Sequence, residues 1–203
     1  HLAVYTPKGS DPEPVSEKFP LELIRCNTSD CGLVQLRHST PTDILYERYF
    51  YRSGINQTMT DNLKEIVDQA ILKVDVAEND IVLDIGCNDG TLLKNYQGKN
   101  IRAVGIDPAK NMLEFSKCSD AHIIVDYFNS ECFIEHYSND KAKIITSISM
   151  FYDLEDPNKF VSDIAKILDK EGVWVIELKY LPTMIFQNAF DNIVHEHIEY
   201  YHF

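Results

Sequence analysis

Ten consecutive residues constrain the fold more than any others. Ile81 to Ile85 form a short apolar run interrupted only by Asp84. Gly86 and Gly90 follow, with Cys87, Asn88 and Asp89 between them. An apolar run of that length closed by glycine reads as a buried strand. Gly86 and Gly90 permit positive φ and leave room where a ligand must approach the backbone. The acid at the strand's end then sits at the carboxyl edge of a sheet, where open α/β sheets bind their ligands.

The residues that follow repeat the theme. Apolar runs at Ile101–Ile106, His122–Val125, Lys143–Ile148 and Gly172–Leu178 read as four further strands. Helical segments are expected between them, through Leu92 and Leu93, over Ala109–Ser116, over Glu131–Tyr137 and over Lys159–Leu168. Strand–helix alternation of this kind gives a doubly wound, mostly parallel sheet with helices on both faces. Upstream, Leu63, Ile66, Val67, Ala70, Ile71 and Val74 keep helical spacing, which predicts a helix over about Met59–Val74 with Asp61 or Asn62 near its start as the cap.

The first part of the chain differs in character. Residues 1–20 carry four of the eight prolines and read as an extended lead-in. Residues 21–36 hold two apolar-rich runs around Asn27, Thr28, Ser29, Asp30 and Gly32, the pattern of a β-hairpin. Tyr46, Tyr49, Phe50 and Tyr51 crowd the stretch before the helix. We therefore divide the chain into an N-terminal module and aromatic linker, 1–56, and an α/β domain, 57–203. The absence of an initiator methionine suggests a trimmed chain.

Charge narrows the partners. With 19 basic against 32 acidic side chains the net charge is −13, and such a surface repels the phosphates of nucleic acid. No apolar run is long enough for a membrane helix, and residues 1–20 lack the layout of a secretory signal. The five cysteines, Cys26, Cys31, Cys87, Cys118 and Cys132, are odd in number and scattered. That argues against a disulfide framework and points to the reducing cytoplasm. A monomer is compatible with the sequence.

Three strand ends carry acids or aromatics suited to one ligand. Asp84 can answer an ammonium, with the loop amides of Gly86, Cys87, Asn88 and Gly90 beside it. Asp107, followed by Pro108, ends the second strand, where a ribose with two free hydroxyls needs an acceptor. Asp126, Tyr127 and Phe128 follow the third strand and offer a carboxylate and two aromatic faces to adenine. Dinucleotides are disfavoured, because the turn lacks G-x-G-x-x-G and the Asp89 carboxylate would repel a pyrophosphate. S-adenosylmethionine, an adenosyl ligand with cationic groups, fits all three stations. Cys87 reads as a small space-filler in the loop.

These motifs together, the turn at 84–90, Gly105–Pro108 and Asp126–Phe128, resemble the class I S-adenosylmethionine-dependent methyltransferases with their Rossmann-like core. The flanks narrow the resemblance. Glu22–Cys26, Cys31–Leu36, Tyr49–Ser53, Phe151–Pro157 and His195–Tyr201 are similar to the nucleotide-sugar C-methyltransferases, over about Phe19 to Phe203. The resemblance implies a nucleotide-linked keto-deoxysugar as substrate. It also implies a zinc module with two cysteine pairs, of which only Cys26 and Cys31 stand here, and a further C-terminal domain. The chain is thus expected to be a piece of a longer protein, with structural zinc held in the whole.

C-methylation beside a ketone needs a base to form an enolate, which attacks the methyl in line. The resemblance places that base at His197, with Glu196 to orient it and His195 as the alternative. Val194 departs from the tyrosine often found there in related enzymes. Tyr51 and Ser53 would cover cofactor and substrate, Tyr51 as a donor to a keto oxygen; an aromatic plug is the other reading of this stretch. Zinc at His195 and His197 is less attractive, since metalloprotease histidines stand four apart on a helix. Two other functions stay open: an O- or N-methyltransferase of another small molecule, and a cofactor-binding module without catalysis.

Overall fold

The computed structural model describes residues 18–116 and 120–202. Cys118 and the lead-in before Lys18 lie outside them. Five parallel strands form the central sheet: β3 (Ile81–Ile85), β4 (Arg102–Ile106), β5 (His122–Ile124), β6 (Ala142–Ile148) and β7 (Leu168–Glu177). Their spatial order is β5-β4-β3-β6-β7, with β3 in the middle. The order reverses between β3 and β6, and this switch point opens a crevice at the strands' carboxyl ends.

Side chains alternate between the two faces, as the strand period of two requires. Ile81, Leu83, Ile85, Val104, Ile106 and Ile145 join one apolar cluster, whereas Val82 and Ile144 join the other. The first face is covered by α3 (Ser130–Tyr137) and α4 (Pro157–Ile167), which contribute Phe133, Phe160, Ile164 and Ile167. The second is covered by α2 (Gln57–Ile71) through Leu63, Val67 and Ala70, with the 3-10 turn Leu93–Tyr96 beside it. Each such side chain, removed from water, stabilises the fold by about 1.5–3 kcal/mol. The doubly wound α/β reading therefore holds.

Local chemistry sets the helix ends. α2 is capped by Asn56, whose side chain accepts from the backbone N–H groups of Thr58 and Met59. Asp61 and Asn62 stand inside the helix, so the expected cap is corrected to a residue further upstream. α4 begins at an Asp156 cap followed by Pro157, a residue whose missing N–H costs nothing at a first turn. Asp163 faces inward from α4 and takes hydrogen bonds from Ser130 Oγ (2.8 Å), Lys159 Nζ (2.6 Å) and Lys166 Nζ (2.9 Å). Burial works to raise its pKa, but these donors win and draw the carboxyl down to about 2. This knot joins α4 to the start of α3.

A second, small antiparallel sheet joins β1 (Leu23–Arg25), β2 (Val34–Leu36) and β8 (Glu199–Tyr200) in that order. The expected hairpin is present, and its third strand arrives from the far end of the chain. α1 (Thr42–Tyr46) and α5 (Leu181–Gln187) complete the helices. The segment expected as a helix over Ala109–Ser116 is a 3-10 stretch, Lys110–Phe115. Among the described residues no helix is long and apolar enough to cross a membrane.

Candidate active site

A cavity of about 580 Å³ opens at the carboxyl ends of β3, β4 and β6. Gly86, Cys87 and Asn88 of the glycine turn line it, whereas Gly90, expected beside the ligand, does not and serves the turn's backbone. Gly86 and Gly90 have φ of +72° and +70°, and Asn88 sits at +50°, so the turn needs the left-handed region three times within five residues. Gly86 N–H donates to Ile106 O at 2.8 Å, which holds the turn against the next strand. Gly105 allows this closeness. A Cβ there would meet Cys87 Sγ at 2.5 Å, and Cys87 itself is buried. Cys87 therefore packs as an apolar filler, and burial pushes its thiol pKa well up.

Asp84 and Asp107 both line the cavity. Asp84 is buried, and Thr146 Oγ1 donates to its Oδ1 at 2.6 Å. Burial pushes its pKa up to about 7, against the downward pull of that hydroxyl and with the help of Asp107's charge. Asp107 accepts from the backbone N–H groups of Asn88 (Oδ2, 2.8 Å) and Ala109 (Oδ1, 2.8 Å). Burial raises its pKa as well, despite those two bonds. Two carboxyls destabilised by burial at adjacent strand ends suit a cationic, hydroxyl-bearing ligand and oppose a phosphate.

The rest of the glycine turn does a different job from the one its sequence suggests. Asp89 does not line the cavity. Its Oδ2 accepts from Gly54 N–H (3.0 Å), and its Oδ1 accepts from Thr91 Oγ1 (2.6 Å). Asn88 Oδ1 accepts from Ser53 N–H (3.0 Å), and Asn88 Nδ2 donates to Tyr51 O (2.9 Å). On the other side Asn111 exchanges two hydrogen bonds with the backbone of Tyr49. Residues 49–54 are thus strapped across the cavity, placing Tyr51 and Ser53 in its wall. Asp84 and Asp107, rather than Asp89, are the carboxyls that would repel a pyrophosphate in the cavity.

Of the third station, Tyr127 lines the cavity, as does Pro108. Asp126 is exposed and accepts from Tyr127 N–H (2.7 Å), while Phe128 packs on Phe160 with ring centroids 5.0 Å apart. Neither reaches the cavity wall: β5 ends at Ile124, and in the loop beyond it Phe128 turns into the core while Asp126 is left to solvent.

The histidine segment is anchored between the two sheets. Leu36 N–H donates to Ile198 O (2.8 Å), and Ile198 N–H donates to Tyr152 O (2.9 Å). Glu196 and His197 line the cavity and His195 does not. His195 is buried with Nε2 on Phe19 O (2.9 Å), which removes it as the alternative base. The His197 ring packs edge-on against Tyr152, centroids 4.7 Å apart, with Nδ1 2.7 Å from Asn192 O. A carbonyl only accepts, so Nδ1 carries the proton and Nε2 keeps its lone pair. Burial lowers the His197 pKa against the pull of Asn192, with the Lys179 charge adding to the effect.

Two further wall residues were not singled out from the sequence. Asp153 follows β6 and Lys179 follows β7. Their position just beyond strand ends in a doubly wound sheet was the available signal. Lys179 Nζ donates to Asn192 Oδ1, and burial lowers its pKa.

Comparison with known proteins decides the family: a methyltransferase-domain family model matches residues 49–202. The chain belongs to this methyltransferase family. The chain is 26% identical over 184 residues to the C-methyltransferase NovU of Streptomyces niveus, covering 90% of this chain and 43% of that relative's length. Among solved structures it is similar to a SAM-dependent methyltransferase from Archaeoglobus fulgidus. That match has a TM-score of 0.56 and 18% identity, over 70% of this chain and 63% of that one. It is also similar to the plantazolicin methyltransferase BamL, solved with a triazolic desmethylPZN analog and SAH. There the TM-score is 0.55 and the identity 20%, over 70% of this chain and 54% of that one. Both likenesses carry the fold alone, a Rossmann-like one with a five-stranded parallel sheet.

Cys26 and Cys31 stand at the hairpin, Cys26 bonded to Thr28 Oγ1 at 3.2 Å. Among the described residues no group of three or more His, Cys, Asp or Glu side chains could hold a metal. Two sulfur ligands cannot close a tetrahedral site.

Proposed function

We propose that the chain is the cofactor-binding and catalytic part of a C-methyltransferase acting beside the ketone of a nucleotide-linked deoxysugar. The observation that carries this reading is His197. Its Nε2 lone pair is free, Nδ1 is committed to Asn192 O, and burial keeps the ring neutral near pH 7. A neutral imidazole beside a cavity is a suitable base for an α-proton. The 26% likeness to NovU supports carbon as the acceptor.

S-adenosylmethionine, when bound, supplies the electrophilic methyl group. Asp84 would meet its ammonium and Asp107 its ribose hydroxyls. The loop residues Gly86, Cys87 and Asn88 would leave the backbone open to it, and Pro108 and Tyr127 would flank the base. Glu196 lies next to His197 in the wall and biases the local charge. The strap bearing Tyr51 keeps water from the reacting atoms. In this account residues 1–56 and 57–203 act as module and catalytic domain, and the structural zinc belongs to the whole protein.

His197→Asn tests the role. With the full-length protein and a nucleotide-linked 4-keto-deoxysugar, the variant should lose solvent exchange of the α-proton while S-adenosylhomocysteine binding persists. Unchanged exchange would remove His197 as the base.

A further inference from the structure

The wall that carries His197 also carries a carboxyl only partly satisfied, by the Tyr46 hydroxyl. Asp153 ends the 3-10 turn Phe151–Asp153 that leaves β6 for the cavity. Its Oδ1 is buried and has no hydrogen-bond partner among the described residues. The same turn fixes its place relative to the base: Tyr152 O takes the N–H of Ile198, and the Tyr152 ring abuts His197. Asp153 and His197 are therefore rigidly paired on one wall. Tyr51 lines the cavity from the strap and is 38% exposed.

We propose that Asp153 is a catalytic residue, the hydrogen-bond donor to the substrate's carbonyl oxygen, acting together with His197. The proposal rests on the keto-sugar reading above. An orphaned buried carboxylate oxygen is costly to leave unmade. A protonated carboxyl aimed at a substrate carbonyl removes that cost and serves the reaction. Burial drives the Asp153 pKa well above the ordinary carboxylate range, the neighbouring Glu196 charge adds to this, and Tyr46 and Lys179 only partly oppose it. Tyr46 also reaches the Glu196 backbone carbonyl at 3.4 Å, so the two acidic residues share one apolar-sided corner. A neutral acid kept so by its site donates to a developing oxyanion, whereas an ionised one would repel it.

The step balances without further reagents. His197 Nε2 takes the α-proton, and the C–H pair becomes the C=C bond of the enolate, whose oxygen is held by the Asp153 O–H. That C=C pair then forms the new C–CH₃ bond, the carbonyl returns, and the S–CH₃ pair stays with sulfur. Asp153 keeps its proton throughout, and His197 gives its proton to solvent.

Three variants and three readouts test this in the full-length protein. Difference infrared spectra of wild type minus Asp153→Asn at neutral pH should show the carbonyl band of a protonated carboxyl. Its absence overturns the proposal whatever the substrate is. In α-proton exchange, Asp153→Asn retains a donor and should stay within about tenfold of wild type, whereas Asp153→Ala should lose about 100-fold or more. A loss in Tyr51→Phe larger than that of Asp153→Ala would move the donor to Tyr51 and overturn the proposal. S-adenosylhomocysteine binding, equal in all three, confirms folding. Equal loss in Asn and Ala would also overturn the proposal. No exchange in wild type, with the infrared band present, instead overturns the keto-sugar reading and this role within it.

Discussion

Replacing Asp84 by asparagine should make the free protein more stable and its cofactor affinity worse, with a pH signature that identifies the cause. Asp84 is 3% exposed, and its pKa is about 7, against about 3.9 for an aspartate in an unfolded chain. A carboxyl whose folded pKa is raised contributes stability that is whole below the unfolded pKa and is lost as pH rises through the folded one. The window here runs from about pH 4 to about pH 7, and the gap corresponds to about 4 kcal/mol. Asparagine keeps the acceptor for Thr146 Oγ1 and does not ionise. Urea unfolding of both proteins from about pH 5.5 to about pH 8 should show the variant gaining about 2 kcal/mol on wild type across that range. Saturating S-adenosylhomocysteine should reverse the order at high pH, because only the ionised carboxylate meets the ligand's ammonium. Asp153, also raised by burial, is common to both proteins and drops out of the difference, whereas the Asp107 charge is one of the causes of the Asp84 shift and is counted within it. A difference that is flat with pH would refute the assignment of Asp84 as a buried, strained charge.

Two structural predictions follow from packing. Asp163→Asn should cost about 1–3 kcal/mol at neutral pH by urea unfolding, since it weakens the charged bonds of Lys159 and Lys166. The loss should shrink as pH falls below about 4, because a depressed carboxyl stabilises only above its unfolded pKa. Gly105→Ala should cost about 1–3 kcal/mol through overpacking against Cys87 and Ile123. Cys87→Ala in the same chain should recover part of that cost, as read from paired melting curves.

The sheet was legible because its information is local. Ile81–Ile85 and Lys143–Ile148 are apolar runs closed by turns, and β3 matches the expected bounds while β6 begins one residue earlier. β8 could not be read, since it pairs Tyr200 with Val34 across most of the chain and two residues carry no periodicity. α5 was missed for a related reason. No side chain caps it, and a bond from Leu181 N–H to Tyr201 O anchors its start from a distant segment. Within the site, Asp84 and Asp107 were legible from strand-end position. Asp89 was not, because its role depends on where the Tyr51–Gly54 backbone passes. Asp126 and Phe128 were placed on the ligand by proximity in sequence, and the course of the loop after β5 sends them elsewhere.

The central claim is that the cavity between β3, β4 and β6 holds S-adenosylmethionine through Asp84 and Asp107. Equilibrium dialysis of the folded protein against labelled S-adenosylmethionine tests it directly. The account predicts one saturable site per chain, displaced by S-adenosylhomocysteine, insensitive to added pyrophosphate and lost in Asp107→Ala. A folded wild-type protein that retains no label, or an Asp107→Ala variant that binds as well as wild type, would contradict it.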